Sequence, residues 1–207
     1  DTFGTALIPH PELEIEVASA RKEKYEPDSR KPKVTHTTVE EDMSRRDFTI
    51  NAIAASILPD DFGKLYDPFN GLKDLQKGLI ITPMDPDETF SDDPLRMLRA
   101  VRFGAQLKYE VAPTTLDSIT RNVDRLTIIS WERIRDEVIK SLKTDTPSIA
   151  FYIMKDTGML TQVFPELDIM SGVELIEGKG HKDVFIHTLQ VVDNAAKLTT
   201  NMSVRFA

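Results

Sequence analysis

Cysteine is absent from the sequence, so neither disulfide bonds nor thiolate metal ligands can hold the fold together. The sequence also lacks a run of about 18 apolar residues, the length that a membrane-spanning helix needs. No signal-peptide pattern opens the printed chain. From these absences we expect a soluble cytoplasmic protein that has no membrane partner.

The sequence has fewer basic than acidic residues, with 26 Lys and Arg and 34 Asp and Glu, which gives a net charge of −8. Such a balance argues against a general nucleic-acid-binding surface, because phosphates are held by clustered basic side chains. A local surface is still allowed. Residues 96–140 carry more basic than acidic side chains, and a local surface would lie there.

The 207 residues, 40% of them hydrophobic, suffice for one large domain or two small ones. Strands are predicted over residues 5–8 and 13–19, joined by a turn rich in breakers. The second strand alternates between an apolar face and an acidic face that carries Glu14 and Glu16, and a solvated face explains this pattern equally well. From Phe90 onward helical spacing takes over, and we place the boundary near Pro86.

Between these parts the pattern is less regular. Residues 22–43 contain several breakers, many charges and little periodicity, and they are predicted to form a long mobile loop. Residues 64–71 are predicted to be a strand running into a turn, followed by a short helix over 72–77 and a closing strand over 79–82. Further helices are predicted over 113–126 and from Ser130 onward.

The most distinctive stretch is Ser-Arg-Arg-Asp-Phe-Thr-Ile-Asn-Ala at residues 44–52. Ser44 can cap a helix, and Asp47, three residues later, can close a capping box. On such a helix Asp47 and Asn51 lie one turn apart, with Arg46 beside them. The apolar face would consist of Ile50, Ile53, Ala54 and Ile57. A capped surface helix without chemistry fits the Arg-Arg-Asp pattern as well.

A second distinctive stretch covers residues 90–103. Asp93 suits the cap of a helix and Pro94 its first position. Three arginines step round the helix by about 60° each and fan over one side; these are Arg96, Arg99 and Arg102. The core face would consist of Leu95, Leu98, Val101 and Ala105. A solvated basic stripe is the alternative interpretation.

These strings resemble two motifs of class II tRNA nucleotidyltransferases and bacterial poly(A) polymerases. Residues 45–52 are similar to the ribose-recognising motif. Residues 90–103 are similar to the base-reading motif, usually Glu-Asp-x-x-Arg, in which Asp92 replaces the Glu. Weaker matches lie at 15–21, 21–32, 67–78 and 130–133, so that the resemblance runs from about Phe3 to the C-terminus.

The resemblance implies an α+β fold. Residues 1–86 would be the remainder of a palm-like nucleotidyltransferase head with a small antiparallel sheet. Residues 87–145 would form an all-helical neck that carries the base-reading motif, and residues 146–207 the start of a helical body or HD-like region.

The resemblance also implies roles for individual residues. Glu16 would be the catalytic-site acid next to two catalytic aspartates. Phosphates would be held by Arg46, Arg99 and Arg102, the ribose would lie beside Asp47 and Asn51, and the base would be read by Asp93 and Arg96. The Ser-x-Glu-Arg pattern at 130–133 would serve packing and positioning.

The implied activity is template-independent addition of C and A to the 3′ end of tRNA from CTP and ATP, with magnesium as the cofactor. Two features of the family, a Gly-Gly nucleotide loop and a metal-binding strand with an Asp-x-Asp pair, are expected before Asp1. The chain would then be an internal piece of a longer protein. Glu16 alone cannot hold two metal ions, so we expect no metal site and no activity from the printed residues by themselves.

Other functions stay open. A poly(A) polymerase, or an enzyme that adds only CC or only A, would share every motif quoted. An HD-type phosphohydrolase would need an adjacent His-Asp pair, which the stretch His181-Lys182-Asp183 and His187 lacks. A non-catalytic RNA-binding module is the third alternative.

Overall fold

The computed structural model describes residues 5–26, 29–172, 174–176 and 181–206. Short strands dominate the first third and helices the remainder, which confirms the α+β fold class. The stretch 87–145, predicted to be all helical, also contains a two-residue strand at Glu110–Val111, which pairs with Leu79–Ile80. Two further short strands lie in the stretch predicted as a helical body. Within the described residues, no helix combines the length and apolar character that crossing a bilayer requires.

The strands are short and mostly paired as hairpins. Their bounds are β1 Thr5–Pro9, β2 Glu14–Ala18, β3 Arg21–Glu26, β4 Ser29–His36, β5 Ala54–Ala55, β6 Leu65–Tyr66, β7 Leu79–Ile80, β8 Glu110–Val111, β9 Glu174–Ile176 and β10 His181–Asp183.

The helices are α1 Val39–Ser44, α2 Gly71–Lys77, α3 Pro86–Asp92, α4 Leu95–Leu107, α5 Pro113–Asn122, α6 Trp131–Leu142, α7 Ser148–Asp156, α8 Met159–Val163, α9 Pro165–Asp168, α10 Val184–Leu198 and α11 Met202–Phe206. Single 3-10 segments lie at Thr49–Asn51, Pro59–Asp61 and Val123–Ile128.

The first hairpin agrees with the sequence to within a residue at each end. β1 pairs antiparallel with β2, with Thr5 opposite Ala18 and Pro9 opposite Glu14. The apolar face predicted for β2 is not buried by the described residues, since Ile15 is 38% and Val17 49% exposed.

The described residues within 22–43 form strands and a helix, so the prediction of an irregular loop is wrong, while its mobility stays a prediction. β3 pairs antiparallel with β4, and α1 follows with the Thr38 hydroxyl accepting a hydrogen bond from the Glu41 N–H at 3.2 Å. A two-stranded ladder is joined by backbone N–H and C=O groups, which require no apolar period. Hydrophobic periodicity therefore gave no sign of this hairpin.

The helix predicted to begin at Ser44 is also wrong, because α1 ends there. The Asp47 carboxylate caps no helix of its own; its Oδ1 accepts from the Phe48 N–H at 2.9 Å and from the Asn51 amide at 3.0 Å. Such local side-chain bonds compete with a helix. The chain instead makes one 3-10 turn and enters β5, leaving Ile57 83% exposed.

The hydrophobic core lies in the helical part and is centred on α4. All four apolar positions predicted for α4 are buried: Leu95, Leu98, Val101 and Ala105. On α6 the apolar residues at helical spacing are buried as well: Ile134, Val138 and Leu142. Phe48, fully buried, inserts from the loop after α1 and meets the edge of the Phe103 ring at a centroid distance of 5.8 Å. This insertion sets the loop of residues 45–52 against α4.

Asp183 and His187, two residues of the stretch considered for an HD-type site, lie at the N-cap of α10 and within that helix. Asp183 caps α10 by accepting from the Ile186 N–H at 3.0 Å, and His187 is half-buried on the same helix. The part of the chain that the structure describes contains no group of three or more His, Asp or Glu side chains arranged to hold a metal ion.

Candidate nucleotide-binding site

A cavity of about 550 Å³ opens between the loop after α1 and the first half of α4. Six of the seven predicted nucleotide-binding residues line it: Arg46, Asp47, Asn51, Asp93, Arg96 and Arg99. The two strings, 44–52 and 90–103, are distant in sequence and thus meet at one place.

Asp47 joins the two walls of this cavity. Its Oδ2 accepts from Arg99 Nε at 2.7 Å and lies 2.5 Å from Nη2, while its Oδ1 holds Phe48 and Asn51. Asp47 is only 7% exposed, whereas the Arg99 side chain is 33% exposed, so this contact is a charge-assisted pair at the cavity wall. Asp47 therefore fixes both the Asn51 amide and the Arg99 guanidinium.

Asn51 and Arg46 form the outer part of the same wall. Because the Asn51 amide nitrogen donates to Asp47, its side-chain oxygen is the atom left to accept from a ligand. The Arg46 Nη1 donates to the Asn51 backbone carbonyl at 3.2 Å, and its side chain is 53% exposed. A cation at this edge can meet an anionic group of a ligand.

Asp93 and Arg96 lie at the start of α4. The sequence predicted Asp93 as the cap and Pro94 as the first helical position, but Pro94 is the N-cap residue and α4 begins one residue later, at Leu95. The Asp93 Oδ1 still accepts a hydrogen bond from the Leu95 N–H at 3.2 Å. Arg96 Nη2 donates to the Arg45 carbonyl at 2.5 Å and Nη1 to the Thr89 carbonyl at 3.2 Å. Backbone acceptors from two segments thus hold the Arg96 guanidinium at the cavity wall.

Arg102 does not line the cavity. Its Nε donates to Glu137 Oε2 at 2.6 Å and its Nη1 to Gln106 at 2.7 Å, behind the Phe103 ring. Two further steps of 60° carry it about 120° round α4 from Arg96, toward α6. Its predicted contact with phosphate has no support in this geometry.

Glu137, the partner of Arg102, is itself buried. Burial by itself raises its pKa, but the hydrogen bonds from Lys140 and Arg102 outweigh that effect, and the pKa ends below its ordinary value. The carboxylate is therefore ionised and anchors α4 to α6.

Glu16 lies on β2 in an adjoining cavity of about 470 Å³. The two cavities share Asp42, Arg45 and Arg46, so Glu16 is next to the first cavity without lining it. The described residues do not provide the several carboxylates that a magnesium site needs.

The string Asp85-Pro86-Asp87 has the Asp-x-Asp spacing but serves other contacts. Asp85 caps α3 by accepting from the Asp87 and Glu88 N–H groups at 2.8 and 3.2 Å. Hydrogen bonds from Ser118 and Arg121 lower the pKa of Asp87. Asp85 thus caps α3, and Asp87 ties α3 to α5.

Known proteins match the chain in both parts. The family described as "Poly A polymerase head domain" matches residues 1–81, and "Probable RNA and SrmB- binding site of polymerase A" matches residues 108–170. The Multifunctional CCA protein of Psychromonas ingrahamii is 40% identical over 178 residues, which are 82% of this chain and 41% of that protein.

The chain belongs to the family of class II CCA-adding enzymes and poly(A) polymerases. A crystal structure of the Bacillus stearothermophilus CCA-adding enzyme in complex with CTP is 33% identical, with a TM-score of 0.68, over 76% of this chain and 37% of that one. A tRNA nucleotidyltransferase complexed with a primer tRNA and an incoming ATP analog is 28% identical, with a TM-score of 0.67, over 94% and 53%.

The chain spans 40% to 49% of the length of the curated relatives that it matches. The structure adds two residues to the cavity wall that the sequence analysis did not assign to nucleotide binding. Phe103 lies at the cavity wall, and the centroid of its ring is 5.4 Å from the Arg99 guanidinium carbon. Arg133 reaches the cavity from α6 and lies 3.1 Å from Asp93 Oδ2. The Ser-x-Glu-Arg pattern marked Arg133, but nothing local in sequence indicates that α6 returns to Asp93.

Proposed function

We propose that the protein containing this chain adds C and A nucleotides to the 3′ end of tRNA, without a template, from CTP and ATP. The observation that carries the proposal is the meeting of six predicted nucleotide-binding residues in one cavity. The names of the similar proteins, CCA proteins and a CCA-adding enzyme in complex with CTP, support it.

The base would be recognised by Asp93 and Arg96. Cytosine and adenine each present an amino group beside a ring nitrogen that accepts a hydrogen bond, whereas uracil and guanine present a carbonyl beside an N–H. A carboxylate only accepts and a guanidinium only donates. The pair therefore complements C and A and opposes U and G, with discrimination of roughly 1–3 kcal/mol.

The rest of the nucleotide would follow the cavity wall. We assign the ribose to Asn51, whose side-chain oxygen can accept from the 2′-hydroxyl, with Asp47 holding its amide. Phosphates are assigned to Arg46 and Arg99, whose guanidinium groups line the cavity. The contact of Arg102 with phosphate stays a prediction without geometric support.

Glu16 is proposed as a carboxylate of the catalytic centre, because its cavity shares a wall with the nucleotide cavity. Magnesium remains a proposal for the whole protein. The described residues do not provide a group of carboxylates that fits this ion. The division into a head over 1–86, a neck over 87–145 and a body over 146–207, and a cytoplasmic location, belong to the same proposal.

The test is the Asp93→Ser variant of the longer protein that contains this chain, assayed for extension of a tRNA lacking its 3′ CCA with each nucleotide separately. Serine caps a helix about as well as aspartate but is not an obligate acceptor. We expect normal folding and a clear loss of preference for CTP and ATP over UTP and GTP. Unchanged preference would leave Asp93 as a helix cap only.

Poly(A) addition is the second candidate, favoured by the description of the family matched at residues 1–81. The base contacts proposed for Asp93 and Arg96 suit A as well as C, so base recognition would not separate the two activities. The products do: a CCA-adding protein stops after completing CCA, whereas a poly(A) polymerase makes a long tail from ATP alone.

A further inference from the structure

Asp93, the proposed acceptor of the base, is held by a second helix as well as by its own. Its Oδ1 accepts from the Leu95 N–H on α4, and its Oδ2 lies 3.1 Å from Arg133 Nη2 on α6. Both residues line the cavity and are partly exposed, 33% for the Asp93 side chain and 51% for that of Arg133. The contact therefore lies at the surface that a nucleotide would enter.

The position of Arg133 is set by the packing of its helix. Ile134, the next residue, is only 4% exposed in the core. One turn further along α6, Glu137 is paired with Arg102 of α4 at 2.6 Å. Because these two anchors fix α6 against α4, the Arg133 side chain starts from a defined place beside Asp93.

A carboxylate held at one oxygen only can still turn about its last side-chain bond, since such torsions are broad. Donors on both oxygens remove that freedom. Each carboxylate oxygen has two lone pairs, so Asp93 can keep both contacts and still accept an N–H from a base. A planar guanidinium suits this task because its donors have fixed directions.

We propose that Arg133 is a positioning residue that orients the Asp93 carboxylate for the amino group of cytosine or adenine, and so sets base preference. This inference rests on the proposed function. The competing role is a general one, in which Arg133 only adds positive charge that attracts the triphosphate. The two roles differ in what they change: orientation alters the ratio between nucleotides, whereas charge alters all affinities together.

The experiment is a calorimetric titration of the longer protein that contains this chain with CTP, ATP, UTP and GTP. The variants are Arg133→Met, Arg133→Lys, Asp93→Ser and the double variant Asp93→Ser/Arg133→Met. Arg135→Met is the matched control, because Arg135 lies on the same helix, pairs with Asp136 at 3.2 Å and is exposed. Circular dichroism checks that each variant folds.

We expect Arg133→Met to reduce the ratio of CTP to UTP affinity by about fivefold, the size of a partly exposed ion pair. Arg133→Lys should restore overall affinity more than preference, and Arg135→Met should change neither. In the Asp93→Ser background, loss of Arg133 should not lower the ratio further, because the two residues act as one unit.

Two results would overturn the inference. Equal weakening of all four nucleotides in Arg133→Met, with the ratio intact, would reduce Arg133 to a counter-charge while leaving the proposed function in place. A wild-type protein that binds CTP and ATP no more tightly than UTP and GTP would instead contradict the proposed function, and this inference with it.

Discussion

Arg99 and Asp47, 52 residues apart in sequence, form a two-pronged contact in which Nε and Nη2 lie 2.7 and 2.5 Å from one carboxylate oxygen. The contact joins the loop after α1 to the middle of α4, and Asp47 is almost fully buried. The cavity is therefore built around an ion pair that spans the strand-rich and helical parts of the chain.

Asp47→Asn should destabilise the fold by about 2 kcal/mol, because the buried side chain loses its charge-assisted hydrogen bonds with the Arg99 guanidinium. The measurement is the free energy of unfolding from urea titration. Asp136→Asn is the matched control, since Asp136 is exposed and pairs only with its neighbour Arg135 in the contacts that the structure gives it; a change within about 0.5 kcal/mol is expected there. Equal effects of the two substitutions would show that the Asp47 pair contributes no special stability.

The buried pair of Glu137 and Arg102 should make stability depend on pH. Glu137→Gln leaves the Arg102 charge buried without compensation and should cost about 3 kcal/mol at neutral pH. The folded-state pKa of Glu137 lies below 4.5, so its stabilising contribution is complete above that value and is lost as the pH falls through the lower pKa.

The measurement compares urea unfolding of the wild-type chain and Glu137→Gln between pH 7 and pH 3. The gap between their unfolding free energies should narrow only below pH 4.5. Glu110→Gln, an exposed position, is the control and should follow the wild type. A gap that stays constant over the whole range would contradict an ionised, paired Glu137.

Helices with an apolar stripe could be predicted from the sequence. Leu98 and Val101 of α4, and Ile134 and Val138 of α6, recur at helical spacing and are all buried. The loop of residues 45–52 could not be predicted, because its apolar spacing imitates a helix. Phe48 and the local hydrogen bonds of Asp47 decide its path, and these depend on α4 being present.

The candidate site, too, could be predicted from the sequence only in part. The residue types at Asp47, Asn51 and Asp93 were found from their motifs. Their partners were not, because the contact of Asp47 with Arg99 and that of Asp93 with Arg133 exist only after distant helices pack. Arg102 shows the converse, since a regular spacing of arginines placed it with the site and the turn of the helix directs it to Glu137.

Gly71→Ala should disturb the site from outside the cavity. A Cβ at this position would clash with the backbone oxygen of Thr49, in the 3-10 turn that carries Asn51. Since backbone cannot give way as a flexible side chain can, we expect a loss of about 3 kcal/mol in unfolding free energy. CTP affinity should fall with it.

Gly63 provides the comparison for that variant. It has a φ of +80°, and a Cβ there would meet nothing within 4 Å. Gly63→Asn should therefore cost no more than about 1 kcal/mol, because asparagine tolerates the left-handed region. If Gly71→Ala proved as mild as this control, the close approach of α2 to the site turn would not matter for stability.

The last prediction concerns how a ribonucleotide is told from a deoxyribonucleotide. The Asn51 amide donates to Asp47 at 3.0 Å, which fixes the orientation of the side chain and leaves its oxygen to accept from the 2′-hydroxyl. Asn51→Ala removes that acceptor while the Asp47 contact with Arg99 can persist. It should lower the ratio of CTP to dCTP affinity by about fivefold to tenfold, the value of a single hydrogen bond of about 1 kcal/mol.

Asn122→Ala, which removes an amide bonded to Asp87 and Ser118 outside the cavity lining, is the matched control and should leave the ratio unchanged. Calorimetric titration of both variants with the two nucleotides decides the matter: equal ratios in Asn51→Ala and the wild type would assign the 2′-hydroxyl to another group.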